Sequence, residues 1–328
     1  GPSMMVGASR EAWQQIQGFF EALAAKDFYG KPCVTHVGSD GSGHFVKMVH
    51  NGIEYGMLQV IAESYELLRK MSGSDALKAA EFFEASLKGP LNSYVIEIAG
   101  AVLRKKDDLT GKYLIESILD VTEQKGTGNW TVQDALSRGS AIPGVAEAVF
   151  SRMISAEKKI RTELRRQYPS EMKLSEQDFH EWLRSSLLCA FVLLFSQGFD
   201  LIRKASEDQK WDIKLSEIAR IWQGGCIVRT QLLMDFEAYF KNCPGGFLLQ
   251  SPVIEKYLKK SLQDLRKLVV LGVENEIALP GFLSCLSYFD QLRTDPSPSN
   301  LIAGMRDFFG SHGYHRTDRE GIFHTSWS

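Results

Sequence analysis

The sequence predicts a mainly α-helical protein that begins with a short α/β segment. Residues 9–25 (SREAWQQIQGFFEALAA) show the apolar spacing of an amphipathic helix, which Ser9 can cap. A β-like run follows at residues 33–37, so residues 3–37 predict one strand, one helix and a second strand. From there to about Phe309 nearly all of the chain has helical spacing, interrupted by glycine and proline turns.

A weak internal repeat predicts that the helical domain is duplicated. Residues 65–70 read YELLRK and residues 199–204 read FDLIRK. A turn follows each string, 18 or 19 residues later, at Lys88-Gly89-Pro90 and at Gln223-Gly224-Gly225, and an apolar helix follows each turn. The alternative is a chance similarity between leucine-rich helices, and the residues alone leave it open.

Composition is that of an ordinary globular protein. Of the 328 residues, 44% are hydrophobic and 24% are charged, and the net charge of −2 argues against a nucleic acid or membrane partner. The longest apolar stretch, residues 187–195, is too short to cross a bilayer and predicts a buried helix. No metal-ligand spacing occurs, and five scattered cysteines favour a reducing compartment such as the cytosol: Cys33, Cys189, Cys226, Cys243 and Cys285.

The residues with the most chemistry lie on one predicted helix, residues 42–70, which Ser42 or Asp40 can cap. Positions i, i+3, i+4 and i+7 of this helix share one face, and they hold Lys47, His50, Asn51 and Glu54. Such a stripe is commonly solvated surface. On a central helix, however, these groups need a ligand or each other as partners, and the pattern alone leaves both interpretations open.

The remaining sides of this helix predict burial. An apolar face lies beside the polar one, formed by Val46, Val49, Ile53, Met57 and Val60. Gly52 and Gly56 lie one turn apart on a third side. Glycine inside a helix costs about 1 kcal/mol relative to alanine, so this pair indicates that another backbone packs closely there.

The string GSGHFVKMVHNGIEYGMLQ, residues 41–59, resembles the signature helix of the 6-phosphogluconate dehydrogenases. Further similar strings follow in that family's order: QKGTG at 124–128, EAVFSR at 147–152, WQGGCIVR at 222–229 and RDFFGSH at 306–312. The resemblance extends from Gly1 to about Trp327. It implies the end of a truncated Rossmann-type coenzyme domain at 1–40, an all-α catalytic and dimerisation domain at 41–298, and a tail at 299–328 that reaches the partner subunit.

The resemblance implies oxidative decarboxylation of 6-phosphogluconate to ribulose 5-phosphate, with NADP as the cofactor. Lys47 would be the general base that takes the C3 hydroxyl proton, and Glu54 the general acid that protonates the enediol. An amine must be uncharged to accept a proton and a carboxyl protonated to donate one, so we expect both groups to be buried. His50 and Asn51 would position the substrate.

The family's phosphate contacts match Lys125, Thr127 and Arg152, with Tyr55 adding a hydroxyl. Taken alone, the Lys125 loop is more commonly a simple turn and Arg152 a surface residue. Asn129 stands where the family usually has lysine. Two residues match tail positions that complete the partner's site in a homodimer, namely Arg306 and His312. The alternative for this tail is packing on its own domain.

The chain departs from the family in one large respect. No GxGxxG sequence follows a strand, and the family's serine-glycine-glycine substrate loop is expected just before Gly1. We therefore expect this chain alone not to reduce NADP. Two other interpretations stay open: a related dehydrogenase of another 3-hydroxy acid, and a non-catalytic helical dimer that has lost its coenzyme domain.

Overall fold

The computed structural model of the protein describes residues 1–123, 125–169 and 179–327. The described chain begins with two parallel strands joined by a helix, as predicted: β1 (Met4–Gly7), α1 (Arg10–Leu23) and β2 (Val34–Gly38). A parallel pair needs such a crossover connection. Ser9 caps α1, since its Oγ accepts a hydrogen bond from the Ala12 N–H at 3.2 Å.

After β2 the described chain is almost entirely helical, which confirms the mainly α fold class. Its helices are α2 (Ser42–Met71), α3 (Ala76–Ser86), α4 (Tyr94–Arg104), α5 (Thr127–Ser137), α6 (Pro143–Ala156), α7 (Lys158–Gln167), α8 (His180–Gln209), α9 (Leu215–Ile221), α10 (Leu232–Asn242), α11 (Pro252–Glu274), α12 (Pro280–Leu292) and α13 (Ser299–Gly310). Residues Gly1–Leu286 form one compact unit and Ser287–Ser328 a second. The domain boundaries expected after residues 40 and 298 remain predictions.

The start of α2 differs from the prediction. Ser42 is already the first helical residue, and Gly41 precedes it without a side-chain cap. Asp40 adopts a left-handed backbone conformation with a φ of 49°. The first turn of α2 packs closely on β1. A Cβ on Gly43 would lie only 2.3 Å from the carbonyl oxygen of Met5. Contact with a strand, rather than a polar cap, fixes where α2 begins.

The centre of the first unit is the contact between α2 and α8, two helices of 30 residues each. A Cβ on Gly198 would lie 2.4 Å from Ile53, and a Cβ on Gly56 would lie 2.4 Å from Leu194. Side chains there would push the helices apart. A Cβ on Gly52 would meet Thr131 of α5 at 2.7 Å. The prediction that Gly52 and Gly56 face a backbone was therefore wrong. The nearest atoms to both glycines belong to side chains, those of Thr131 and Leu194.

Among the described residues, α8 is long and apolar enough to cross a membrane, but 83% of its most apolar 18-residue window is buried inside the protein. Its central part, residues 187–195, was predicted to be a buried helix. Phe191, Leu193 and Phe195 in that part have no exposed surface. The apolar composition of α8 is therefore that of a core helix.

Equivalent contacts confirm the predicted duplication. YELLRK lies near the end of α2, and FDLIRK lies in α8, 134 positions later. Ser93, just before α4, and Thr230, shortly before α10, form an antiparallel β-bridge with each other. The bridge is reciprocal, because an N–H beside each residue donates to a carbonyl beside the other. Each half thus contributes the segment before an equivalent helix, α4 or α10, to the contact between them.

A second pair of contacts caps two helices that both begin with Pro-Gly. At the start of α6, the Gly144 N–H donates to Gln197 Oε1 of α8 at 3.0 Å. At the start of α12, the Gly281 N–H donates to Glu63 Oε1 of α2 at 2.7 Å. Gln197 follows Glu63 by 134 positions, and Gly281 follows Gly144 by 137. Each long helix therefore satisfies an N–H group at the start of a shorter one.

The second unit is organised around the buried carboxylate of Asp307 in α13. It accepts hydrogen bonds of 2.8–3.1 Å from the backbone N–H groups of Gly313 and Thr325 and from the side chains of His324 and Trp327. Burial alone would raise the pKa of Asp307, but these bonds hold it below its usual value. The polar sequence after α13 gave no sign of this order.

The helix cap at Glu63 predicts a pH-dependent stability. Burial raises the pKa of Glu63 from 4.5 to about 7, although hydrogen bonds from Gln59, Gly281 and Phe282 oppose the shift. The folded state then binds the proton more tightly than the unfolded state. The stabilisation is present below about pH 4.5 and is lost as the pH rises through about 7. Over that window the free energy of unfolding should fall by about 3 kcal/mol.

Glu63→Gln should abolish this fall and keep an acceptor for the Gly281 N–H, as Gln197 does in the other half. Denaturant unfolding at about pH 5 and about pH 7.5 measures it. Glu255→Gln, which removes an exposed carboxyl on α11, is the control and should keep the parent's pH slope. An unchanged slope in Glu63→Gln contradicts the assignment.

Candidate active site

One face of α2 carries four polar side chains, as their spacing predicts. Lys47 Nζ lies 3.2 Å from His50 Nδ1, which lies 3.0 Å from Asn51 Oδ1. Glu54 follows one turn after Asn51. It lies close enough to Lys47 for the charge of the amine to oppose the rise in the carboxyl pKa that burial causes. The adjacent apolar face is buried, with at most 1% of each residue exposed: Val46, Val49, Ile53, Met57 and Val60.

The burial of Lys47 differs from expectation. His50 is fully buried and Glu54 is half-buried, but Lys47 is exposed, whereas the sequence analysis predicted a buried amine. The amine of this exposed residue nevertheless lies beside the buried imidazole, with Lys47 Nζ 3.2 Å from His50 Nδ1. A ligand lying along this face would cover the amine.

Burial shifts the pKa of two other groups on this face. It raises the pKa of Glu54, and the nearby Lys47 and Arg152 offset the shift only in part. It also lowers the pKa of His50 to about 3, and Lys47 adds to that effect. The face therefore holds a neutral imidazole and a carboxyl that keeps its proton more readily than in water.

Helix α5 is held against α2 at the Glu54 end of this face. Thr131 Oγ1 of α5 lies 2.9 Å from the carbonyl oxygen of Met48, next to Gly52. A Cβ on Gly128 would lie 2.6 Å from two ring carbons of Tyr55. These close contacts set the first turn of α5 over the Tyr55 ring.

Arg152 of α6 completes the same corner. Its guanidinium carbon lies 3.5 Å from the centroid of the Tyr55 ring, a cation–π contact. Burial lowers the pKa of Arg152, and the nearby Tyr55 and Glu54 oppose that shift. Tyr55 is itself buried with Ala148 and Val149. A half-buried cation, a carboxyl and the start of a helix thus converge.

The loop before α5 presents backbone N–H groups at this corner. Gly126 has a left-handed φ of 91°, and α5 begins at Thr127. The first N–H groups of a helix have no acceptor within it and attract anions. Lys125 is exposed just before the turn. Gln124, the first residue of the QKGTG string, lies outside the described residues.

Arg306 and His312 lie in the second unit. Arg306 is exposed on α13, and the His312 ring packs edge-on against Phe309 with ring centroids 6.1 Å apart. Their contribution to a partner's site remains a prediction.

Comparison with known proteins identifies the family. The family model described as the C-terminal domain of 6-phosphogluconate dehydrogenase matches residues 43–327. The chain belongs to the 6-phosphogluconate dehydrogenase family.

The family's curated members resemble this chain over its whole length. It is 42% identical to the NADP(+)-dependent, decarboxylating 6-phosphogluconate dehydrogenase of Bacillus subtilis (strain 168), covering 100% of this chain and 71% of that one. It is 40% identical to the decarboxylating enzyme of Staphylococcus aureus (strain N315), covering 70% of it. The solved Plasmodium falciparum 6-phosphogluconate dehydrogenase superposes with a TM-score of 0.95 at 38% identity, over 98% of this chain and 70% of that one.

Three residues that shape the site were given no role by the sequence analysis. Trp222 is buried and packs edge-on against His50, with ring centroids 5.5 Å apart. Gly128 and Thr131 hold α5 on α2. The two glycines after Trp222 indicate a close backbone contact beside it. A Cβ on Gly224 would lie 2.2 Å from the Lys26 carbonyl oxygen. Thr131 gave no signal in the sequence, since its contact depends on tertiary packing.

The Bacillus subtilis relative is named as NADP(+)-dependent. NADP-binding domains of the Rossmann type hold the pyrophosphate on a glycine-rich turn after the first strand, and no GxGxxG follows a strand in this sequence. Among the described residues, no group of three histidine, cysteine, aspartate or glutamate side chains could hold a metal ion.

The contact between α5 and α2 yields a stability prediction. Gly128→Ala should lower the free energy of unfolding by about 1–3 kcal/mol, because its Cβ overlaps the Tyr55 ring. In a thermal melt this corresponds to a drop of roughly 2–4 °C per kcal/mol. Gly18→Ala in α1, where a Cβ meets nothing within 4 Å, should melt no lower than the parent. A Gly128→Ala protein that melts with the parent contradicts the packing.

Proposed function

We propose that this chain binds 6-phosphogluconate and supplies the proton transfers for its oxidative decarboxylation to ribulose 5-phosphate. One observation carries the proposal: a single face of α2 presents the Lys47 amine and a Glu54 carboxyl of raised pKa, beside Arg152 and the start of α5. The relatives named above, of which the chain spans 70–71%, are decarboxylating 6-phosphogluconate dehydrogenases.

The phosphate belongs at the corner made by Arg152, Tyr55 and the first turn of α5. Guanidinium donates two parallel hydrogen bonds to phosphate oxygens, and the N–H groups from Thr127 onward add donors. Lys125 supplies a second cation from the loop. With the phosphate here, the sugar acid extends along α2 from Glu54 toward Lys47.

Lys47 is the general base of the proposed reaction. It takes the proton of the C3 hydroxyl as C3 is oxidised, and NADP, when bound, is the hydride acceptor. Only an uncharged amine accepts a proton, and removal from water favours that form. The bound substrate would provide this cover for the exposed Lys47.

Glu54 is the general acid of the second step. The oxidised substrate is a β-keto acid, so carbon dioxide leaves, the bonding electrons pass to the C3 carbonyl, and its oxygen takes a proton from the protonated Lys47 to give an enediol. Glu54 then protonates the carbon that carried the carboxylate, which requires a carboxyl that holds its proton. His50 and Asn51 would position the substrate: Asn51 by bonding its hydroxyls or carboxylate directly, and the fully buried His50 through its contact with Asn51.

We also propose a cytosolic homodimer in which Arg306 and His312 complete the partner's site. α13 carries an exposed apolar stripe at helical spacing, formed by Leu301, Ile302, Met305, Phe308 and Phe309, and exposed apolar surface of this kind is typical of an interface. The cysteines are free thiols, consistent with a reducing compartment.

Binding measurements test the substrate class. We expect 6-phosphogluconate to bind at least about tenfold more tightly than gluconate, which lacks the phosphate, in isothermal titration calorimetry. Arg152→Ala should remove this preference and Arg306→Ala should reduce it. Arg69→Ala, which breaks an exposed ion pair with Glu66 on α2, should leave it intact. Equal binding of both acids favours the dehydrogenase of another 3-hydroxy acid, and no binding of either favours the non-catalytic dimer.

Activity measurements test the proton-transfer roles, with the protein in the longest form that its gene encodes. We expect Lys47→Met to lower kcat for NADPH formation by about 10²–10⁴-fold, and Glu54→Gln by about 10²-fold or more, because each removes a proton-transfer group. Glu66→Gln on the same helix should leave kcat unchanged. Full activity in Lys47→Met contradicts its role as the base.

A further inference from the structure

The duplicated half contains a counterpart of the candidate active site. A shift of 134 positions aligns the two repeat strings and carries the four polar positions of α2 onto the start of α8. The residues found there are Glu181, Arg184, Ser185 and Leu188. All four line one cavity of about 280 Å³.

One further wall of this cavity also corresponds to a wall of the candidate site. The turn at Lys88 and Pro90 lines it, and this turn matches the one at Gln223, next to Trp222. The third wall is α11 at Tyr257, Lys260 and Ser261. This wall is built differently, because Ser261 lies inside α11, whereas Thr127 begins α5. The helix and the turn of the candidate site are therefore represented in the cavity.

The charge of the cavity is positive although the chain has a net charge of −2. Among the described residues, one carboxylate, that of Glu181, and four cations line it: Lys88, Arg184, Lys256 and Lys260. In the part of the chain that the structure describes, no ion pair joins the three lysines to an acid. Arg184 is half-buried and fixed, since it pairs with Glu181, its Nε donates to the buried Ser86 Oγ at 3.3 Å, and its guanidinium lies over the Phe82 ring.

We propose that this cavity is a second, non-catalytic binding site for a phosphate group, either free or carried by a sugar. Catalysis is excluded there because Leu188 takes the place of Glu54 and Glu181 that of Lys47, so neither the acid nor the base is present. Arginine with several lysines is the chemistry that recognises phosphate. The cavity volume accommodates a small anion and not a dinucleotide.

The test measures phosphate binding in the absence of the first site. We expect Arg152→Ala protein to bind inorganic phosphate and glucose 6-phosphate in isothermal titration calorimetry. The double substitution Lys256→Gln/Lys260→Gln in the Arg152→Ala protein should weaken the binding of inorganic phosphate and of glucose 6-phosphate at least tenfold. These lysines are exposed, so the fold should tolerate the change. Lys259→Gln, which alters a neighbouring exposed lysine paired with Glu255, is the control and should bind as before.

Tighter binding of glucose 6-phosphate would identify a sugar-borne phosphate, and equal binding would identify the free anion. The proposal is overturned if Arg152→Ala alone abolishes phosphate binding, or if the double lysine variant binds like its parent. Because the first site is disabled throughout, failure here is distinct from failure of the proposed function.

Discussion

The candidate site depends on the packing of α2 against α8. Ile53 fits against Gly198 and Leu194 against Gly56, at distances that exclude any added Cβ. Because these contacts fix the rotation of α2 about its axis, they also fix the direction of its polar face. Lys47, and Glu54 two turns further along, therefore face the same side, and the first turn of α5 and Arg152 of α6 pack at Tyr55, next to Glu54. The geometry of the candidate site is thus a consequence of two apolar contacts on other sides of the helix.

Duplication explains how one helix carries both a core and a site. The two long helices cap each other's shorter helices through Glu63 and Gln197, so each half is held by the other. α8 uses most of its circumference as core, whereas α2 keeps a polar face. A carboxylate cap at Glu63 and an amide cap at Gln197 do the same structural work with different sensitivity to pH. The halves have kept their architecture while their surface chemistry has diverged.

Periodicity predicted much of this from the sequence. The strand, helix and strand at the start, the long helix with its polar and apolar faces, and the buried stretch in α8 all follow from local patterns. The start of α2 could not be predicted, because Gly43 packs on a strand distant in sequence. Nor could the exposure of Lys47, since a long side chain on a half-covered helix can point either way. The corner at Tyr55 depended on contacts from α5 and α6, and only the family resemblance indicated it.

One face of α2 and the start of α5 should together hold a single phosphorylated sugar acid. A crystal structure of the protein with 6-phosphogluconate would show whether they do. We expect density for the phosphate against the Arg152 guanidinium and the first N–H groups of α5, with the C3 hydroxyl of the sugar acid within hydrogen-bond reach of Lys47. Density for the ligand elsewhere, or with its carboxylate rather than its phosphate at Arg152, would contradict it.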